Sequence, residues 1–175
     1  MLPTLERLRI PATLFICTGV ADDGARLVLP ELTPRARGHE EELSTMDWST
    51  LRELAHRGFE IGSHTVTHPD LRQLSSPDLD RELRVSRQQI AEQIGRDCKF
   101  LAYPYGFHDA RVRAAARAVG YTAAFALRDG HRDDAYAQPR TDVYRRDGVV
   151  GVTLKTSPLR IPATLALRRF GSGKN

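Results

Sequence analysis

The chain has 175 residues, of which 41% are hydrophobic and 27% are charged, which is typical of one soluble globular domain spanning residues 1–175. The net charge is +4, but the arginines are scattered among apolar and acidic neighbours, so we do not expect a nucleic-acid-binding surface. No stretch approaches the ~20 apolar residues of a membrane-spanning helix, and two cysteines outside any CxxC motif argue against a disulfide framework.

Helices and strands are predicted to alternate along the chain. Apolar residues at helical spacing indicate the helices, and short apolar runs bounded by glycine or proline indicate the strands. In the first part, the predicted elements are a helix over Leu2–Leu8, a strand at Ala12–Gly19, a loop at Val20–Glu42 containing a short strand at Leu27–Leu29, a helix at Ser44–Gly58 capped by Thr45 or Asp47, and a strand at Phe59–Ile61.

The same alternation continues in the second part of the chain. The predicted elements are a helix capped by Ser75 or Ser76 and closed by Gly95, a strand at Lys99–Tyr103, a helix at Ala110–Val119 capped by Asp109 and closed by Gly120, a strand at Tyr121–Leu127, a loop at Asp129–Asp134, a strand at Arg140–Tyr144 and a helix at Pro162–Phe170. This order predicts an α/β fold with a mainly parallel sheet, either an open doubly wound sheet or a barrel. In both, chemistry collects where the strands end.

His64 and His68 form the first candidate site, in the stretch EIGSHTVTHPDL. Two imidazoles four residues apart can converge on one metal ion, and neutral imidazole suits zinc and similar ions. The spacing alone is also typical of two surface histidines. The position after a short apolar strand favours the metal hypothesis, and the neighbouring hydroxyl groups could orient the histidines.

The turn YPYG forms a second cluster, directly after another short strand. Pro104 and Gly106 impose a turn that would expose the backbone N–H of Tyr105, and a fixed N–H of this kind can stabilise an oxyanion. An ordinary strand-ending turn is the alternative. Arg140 follows Pro139 and could hold a carboxylate in a bidentate pair, although a surface arginine is an equally good interpretation.

Asp22, Asp23 and Gly24 are the nearest acidic motif to the histidines along the chain. Paired aspartates can supply a base and a metal ligand. These two lie several residues beyond the first strand, in a loop rich in glycine and proline, so turn formation is the favoured interpretation.

Taken together, the motifs resemble those of the polysaccharide deacetylase family, the NodB-like carbohydrate esterases. The stretches that carry the resemblance are LPTLERLRIPATLFICTG, MDWSTLRELAHRGFEIGSHTVTHPDLRQLS, RELRVSRQQIAEQIG, FLAYPYG, and VRAAARAVGYTAAFAL followed by QPR. The resemblance implies a distorted (β/α) barrel and a hydrolase that removes N-acetyl or O-acetyl groups from a carbohydrate. It further implies a divalent metal, zinc above all, held by an aspartate and by the residues that match His64 and His68.

The resemblance also implies roles for two further residues. Tyr105 matches the tyrosine whose N–H faces the oxyanion, and Arg140 matches the arginine that pairs with the catalytic carboxylate. The family's first motif, which resembles TFDDG and supplies the base and the metal aspartate, has no counterpart before Leu2, and the late leucine-and-histidine motif is absent too. We therefore expect a barrel that lacks its first strand.

Three explanations account for this departure. The protein is longer at its N-terminus, or the chain is an inactive relative that still binds carbohydrate, or it recruits another carboxylate, with Asp23 the available candidate. No signal peptide is evident, so a cytoplasmic location is expected if Met1 is the true start. The sugar, the metal and the oligomeric state are not indicated by any motif.

Overall fold

The computed structural model describes residues 2–22, 44–127, 130–144 and 147–156. The chain divides into two compact units, residues 1–139 and residues 140–175. The strand predicted at Leu27–Leu29, the helix predicted at Pro162–Phe170 and the candidate ligand Asp23 lie outside the described residues. The single domain predicted over residues 1–175 stays a prediction.

The first unit contains a five-stranded sheet in which every neighbouring pair of strands is parallel. The strands are β1 (Thr13–Ile16), β2 (Glu60–Ser63), β3 (Phe100–Ala102), β4 (Ala123–Ala126) and β5 (Gln138–Pro139). Their spatial order is β1-β2-β3-β4-β5, the same as their order in the chain. A sequential order without reversal is that of a (β/α) barrel rather than of a doubly wound sheet. Among the described residues, β1 has no strand on its outer side.

Among the described residues, four α-helices belong to the first unit and one to the second. They are α1 (Leu2–Arg7), α2 (Trp48–His56), α3 (Ser76–Ile94), α4 (Ala110–Val119) and, in the second unit, α5 (Gly148–Thr156). None of these helices is long and apolar enough to cross a membrane.

Capping residues set the bounds of the three longest helices of the first unit. The side chains of Asp47, Ser75 and Asp109 each accept a hydrogen bond from a backbone N–H in the first turn of the helix that follows. Gly95 and Gly120 end α3 and α4 in the left-handed conformation, which glycine adopts without strain. The predicted caps are therefore confirmed, with Asp47 rather than Thr45 at the start of α2.

The core of the first unit lies between the sheet and the inner faces of α2, α3 and α4. Its side chains that are at most 2% exposed include Leu51, Leu71, Leu79, Leu83, Ile90, Leu101, Val112 and Tyr121. The packing fixes the positions of the strands along the sheet. Because β2 and β3 are parallel neighbours, the residues that follow them lie at the same edge of the sheet.

The strand predicted at Arg140–Tyr144 is wrong, because none of these residues forms a strand. Val143 is 52% exposed and Tyr144 is 49% exposed, so this segment has no buried face to hold it against a sheet. The last described strand is instead β5, which precedes this segment, and Pro139 of β5 lies opposite Ala126 of β4. Helix α5 was not predicted, because its valines and two glycines are poor helix formers.

Candidate functional site

The ends of β2 and β3 bring three predicted residues together. His64 follows β2 directly, and Tyr105 lies in the turn after the neighbouring β3. The ring centroids of His64 and His68 are 4.7 Å apart, and those of His68 and Tyr105 are 4.8 Å apart. In both contacts the rings meet edge to face, so the three side chains form one continuous row at this edge of the sheet.

The hydrogen bonds of His64 define which of its ring nitrogens can act as a ligand. Its backbone N–H donates to the carbonyl of Ile16 at 2.8 Å, and its Nδ1 lies 2.7 Å from the carbonyl oxygen of Ala102. A carbonyl oxygen only accepts, so Nδ1 carries a proton in this contact, and in the neutral ring Nε2 is then the nitrogen with the lone pair. A backbone carbonyl that fixes the tautomer in this way is a common partner of metal-binding histidines.

The segment between the two histidines is a tight turn with an unfavourable backbone. Thr65 has φ +73° and His68 has φ +62°, both in the left-handed region that residues other than glycine seldom adopt. The turn is closed internally, because the N–H of His68 donates to Thr65 Oγ1 at 3.0 Å and the N–H of Thr65 donates to Ser63 Oγ at 3.1 Å.

Helix α3 contacts this turn through a buried carboxylate. Glu82 is 6% exposed, and its carboxylate accepts hydrogen bonds from the backbone N–H groups of Val66 and Thr67. The sequence patterns did not single out Glu82 as a site residue. A signal was present, however, because Glu82 lies three residues after Leu79 and therefore on the apolar inner face of the helix.

The segment after β1 supports the turn from the other side. Gly19 donates its N–H to the carbonyl of Val66 at 3.0 Å, and a Cβ at Gly19 would lie only 2.8 Å from that oxygen. The thiol of Cys17 is 3.4 Å from the carbonyl oxygen of His64. Burial, with a smaller effect from the charge of Glu82, raises the pKa of this thiol to about 12, so it stays protonated.

The turn after β3 places Tyr105 in a fixed conformation. Tyr105 has φ +58° and is 38% exposed. The N–H of Gly106 donates to the carbonyl of Tyr103 at 2.9 Å, and the N–H of Phe107 donates to that of Pro104 at 3.1 Å. The turn is thus closed by two hydrogen bonds, while the oxyanion role of the Tyr105 N–H stays a prediction.

Arg140 and Asp22 are the remaining predicted residues that the structure describes. Arg140 is the first residue of the second unit, and burial lowers the pKa of its guanidinium. Its pairing with a catalytic carboxylate stays a prediction. Asp22 accepts a hydrogen bond from the indole N–H of Trp48 at 2.7 Å, which ties its carboxylate to the start of α2.

The donor set fits part of a metal site. His64 and His68 offer two neutral imidazoles, which suit zinc and related ions. Within residues 2–22, 44–127, 130–144 and 147–156, no group of three or more histidine, cysteine, aspartate or glutamate residues could hold a metal ion.

The sequence of the chain matches the family described as polysaccharide deacetylase over residues 1–124. It is also 26% identical over 117 residues to the uncharacterized protein YlxY of Bacillus subtilis (strain 168), a match that covers 66% of this chain and 30% of YlxY.

Solved structures of deacetylases share the fold. The deacetylase PplD of Streptococcus pyogenes, in complex with acetate, is 22% identical with a TM-score of 0.59, covering 73% of this chain and 49% of PplD. IcaB from Ammonifex degensii is 20% identical with a TM-score of 0.60, covering 83% of this chain and 61% of IcaB. A family 4 carbohydrate esterase from Streptomyces lividans is 22% identical with a TM-score of 0.53, and the match covers 71% of this chain and 52% of the esterase. The chain thus spans less than two thirds of the length of each of these relatives.

Proposed function

Because the chain belongs to the polysaccharide deacetylase family, we propose that it is a metal-dependent hydrolase that removes N-acetyl or O-acetyl groups from a carbohydrate. The match over residues 1–124 includes the two histidines and the turn that contains Tyr105. The sugar of the substrate is not part of the proposal, since no motif indicates it.

The hydrogen bond between His64 Nδ1 and the carbonyl of Ala102 is the observation that carries this proposal. It leaves Nε2 of His64 as the nitrogen able to bind a metal, while the ring of His68 lies 4.7 Å away. A pair of surface histidines would have no need of a buried carbonyl partner or of positive φ angles at Thr65 and His68.

In the proposed reaction, His64 and His68 hold the metal ion, which we propose to be zinc. When bound, such an ion would polarise the acetyl carbonyl and lower the pKa of a water molecule bound to it. The N–H of Tyr105 would donate to the oxyanion that forms on the acetyl group, in a turn already closed by its own hydrogen bonds. Arg140 would pair with the carboxylate that takes the proton from water.

The carboxylates that this reaction needs would come from a further strand. The described residues leave the outer side of β1 without a partner strand, and all four β1 residues are only half-buried. An edge of this kind accepts another strand through its backbone groups. We propose that a strand ending in two aspartates pairs there and supplies both the third metal ligand and the general base.

A form of the protein extended by the sequence encoded upstream tests the proposal. We expect zinc- or cobalt-dependent release of acetate from an N-acetylated chitooligosaccharide, and loss of both activity and bound metal in His64→Ala. The exposed His56 on α2 provides a matched control, since His56→Ala should keep both. No acetate release by the extended form, together with an unchanged metal content in His64→Ala, would contradict the enzyme function.

The alternative is a non-catalytic carbohydrate-binding relative of the same fold. It is favoured by the lack of a third metal-ligating residue beside the two histidines in the part of the chain that the structure describes. An in-frame stop codon directly before Met1, with oligosaccharide binding but no acetate release by the 175-residue chain, would support this alternative.

A further inference from the structure

We propose that Glu82 is a positioning residue, whose buried carboxylate sets the geometry of the two histidines by holding the turn between them. The inference rests on the proposed metal-binding role of His64 and His68. It adds a residue on helix α3 that lies outside the strand-end motifs.

Three hydrogen bonds join the carboxylate to the turn. Glu82 Oε2 accepts from the backbone N–H of Val66 at 2.9 Å and from that of Thr67 at 3.0 Å. Glu82 Oε1 accepts from the hydroxyl of Thr67 at 2.8 Å. Glu82 is 6% exposed, and burying a carboxylate is unfavourable unless donors surround it; the three donors here all come from two of the residues between the histidines.

The conformation of the turn explains why such an anchor is needed. Thr65 and His68, on either side of the anchored pair, both have positive φ although neither is glycine. Residues in this region persist only where the surrounding structure over-determines them. Without the carboxylate, the N–H groups of Val66 and Thr67 would lose their buried acceptor, and the turn could relax toward ordinary backbone angles.

A second anchor lies one helical turn further along α3. Ser86 Oγ is 2.8 Å from Ser63 Oγ, which in turn accepts the N–H of Thr65. Because Glu82 and Ser86 are four residues apart, they lie on the same face of the helix. This face therefore holds the chain just before His64 and again between His64 and His68, so α3 fixes the relative position of the two rings.

Zinc titration of the extended form used to test the proposed function, monitored by NMR of the His64 and His68 rings, measures the effect directly. We expect Glu82→Ala to weaken zinc binding by about 10–100-fold, the usual range for residues that orient metal ligands. Glu82→Gln should stay within about threefold of wild type, because its amide oxygen still accepts both N–H groups and its NH₂ can donate to the Thr67 hydroxyl. Glu92→Ala, an exposed glutamate on the same helix, should leave the affinity unchanged.

Amide hydrogen exchange in the metal-free chain gives a second readout. The N–H groups of Val66 and Thr67 should exchange faster in Glu82→Ala, while core amides keep their protection. If Glu82→Ala does not fold, Thr67→Val removes one of the three contacts without altering the helix, and it should weaken zinc binding in the same direction.

The outcomes separate this inference from the proposed function. If zinc perturbs neither histidine ring in the extended wild-type form, the metal-binding role is overturned and the positioning role with it. If wild type binds zinc and a folded Glu82→Ala binds it equally well, only the positioning role is overturned. An equal loss in Glu82→Gln would also overturn it, because the charge and not the hydrogen bonds would then control the affinity.

Discussion

Gly19 should be intolerant of even the smallest side chain, because the histidine turn passes directly over it. In the structure a Cβ at residue 19 would lie 2.8 Å from the carbonyl oxygen of Val66 and 3.2 Å from Val66 Cγ1. The nearer atom belongs to the backbone, so it cannot rotate away as a flexible side chain could. Gly19→Ala must therefore displace the turn that carries His64 and His68.

The size of the effect follows from how far the carbonyl oxygen of Val66 must move away from the added Cβ. Ordinary contacts begin at 3.4 Å, so the turn would have to move by about 0.6 Å, and overpacking of this kind typically costs about 1–3 kcal/mol. For a chain of this length we expect the melting temperature to fall by about 2–12 °C. The 3.0 Å hydrogen bond from the N–H of Gly19 to Val66 should lengthen at the same time.

Urea unfolding and the NMR signals of the two histidine rings measure the two parts of this prediction. Gly95→Ala is the matched control, since Gly95 has φ +73° but nothing lies within 4 Å of its added Cβ. The control should lose about 1–2 kcal/mol through backbone strain and leave the histidine signals unchanged. A Gly19→Ala protein with wild-type stability and unshifted histidine rings would refute the reasoning.

Two further predictions concern the turn after β3 and the alkaline stability of the core. Gly106→Ala should lower the free energy of unfolding, measured in urea, by about 2–4 kcal/mol. Gly106 has φ +72°, and an added Cβ would lie 2.6 Å from the backbone nitrogen of Leu127. A change below about 0.5 kcal/mol would contradict this prediction. Burial raises the pKa of Cys98 from 9.0 to about 12 and also raises that of Tyr103 and Tyr121. Because the folded state keeps protons that the unfolded chain releases, the contribution of these three groups to the free energy of unfolding should be constant up to about pH 9 and fall above it, as urea melts at several alkaline pH values would show; a rise above pH 9 would exclude this explanation.

The parallel sheet and its helices could be predicted because the signals are local. Asp47, Ser75 and Asp109 are ordinary N-cap residues, and each caps the helix that follows it. The segment after Pro139 could not be predicted in this way. Its few apolar residues are typical of a short strand. Whether such residues become buried in a sheet depends on contacts with residues distant in the sequence, and here Val143 is exposed.

The meeting of the histidines with Tyr105 could also be expected from the sequence, since both segments follow strands of one parallel sheet. The backbone conformation of the site could not be predicted from the sequence. Three of the four non-glycine residues with positive φ among the described residues are Thr65, His68 and Tyr105. Sequence patterns predict left-handed backbone at glycine or asparagine, so a threonine, a histidine and a tyrosine give no such signal.

The strained backbone at these residues indicates that contacts outside the strands fix the geometry of the site. The strands end at Ser63 and Ala102 and deliver the chain to the sheet edge, but a free turn beyond them would relax to ordinary angles. It is held instead by side chains distant in sequence, above all the carboxylate of Glu82. A relative that kept both histidines and lost this carboxylate would retain the motif HTVTH yet hold its two rings less rigidly, so the motif alone is an incomplete predictor of metal affinity.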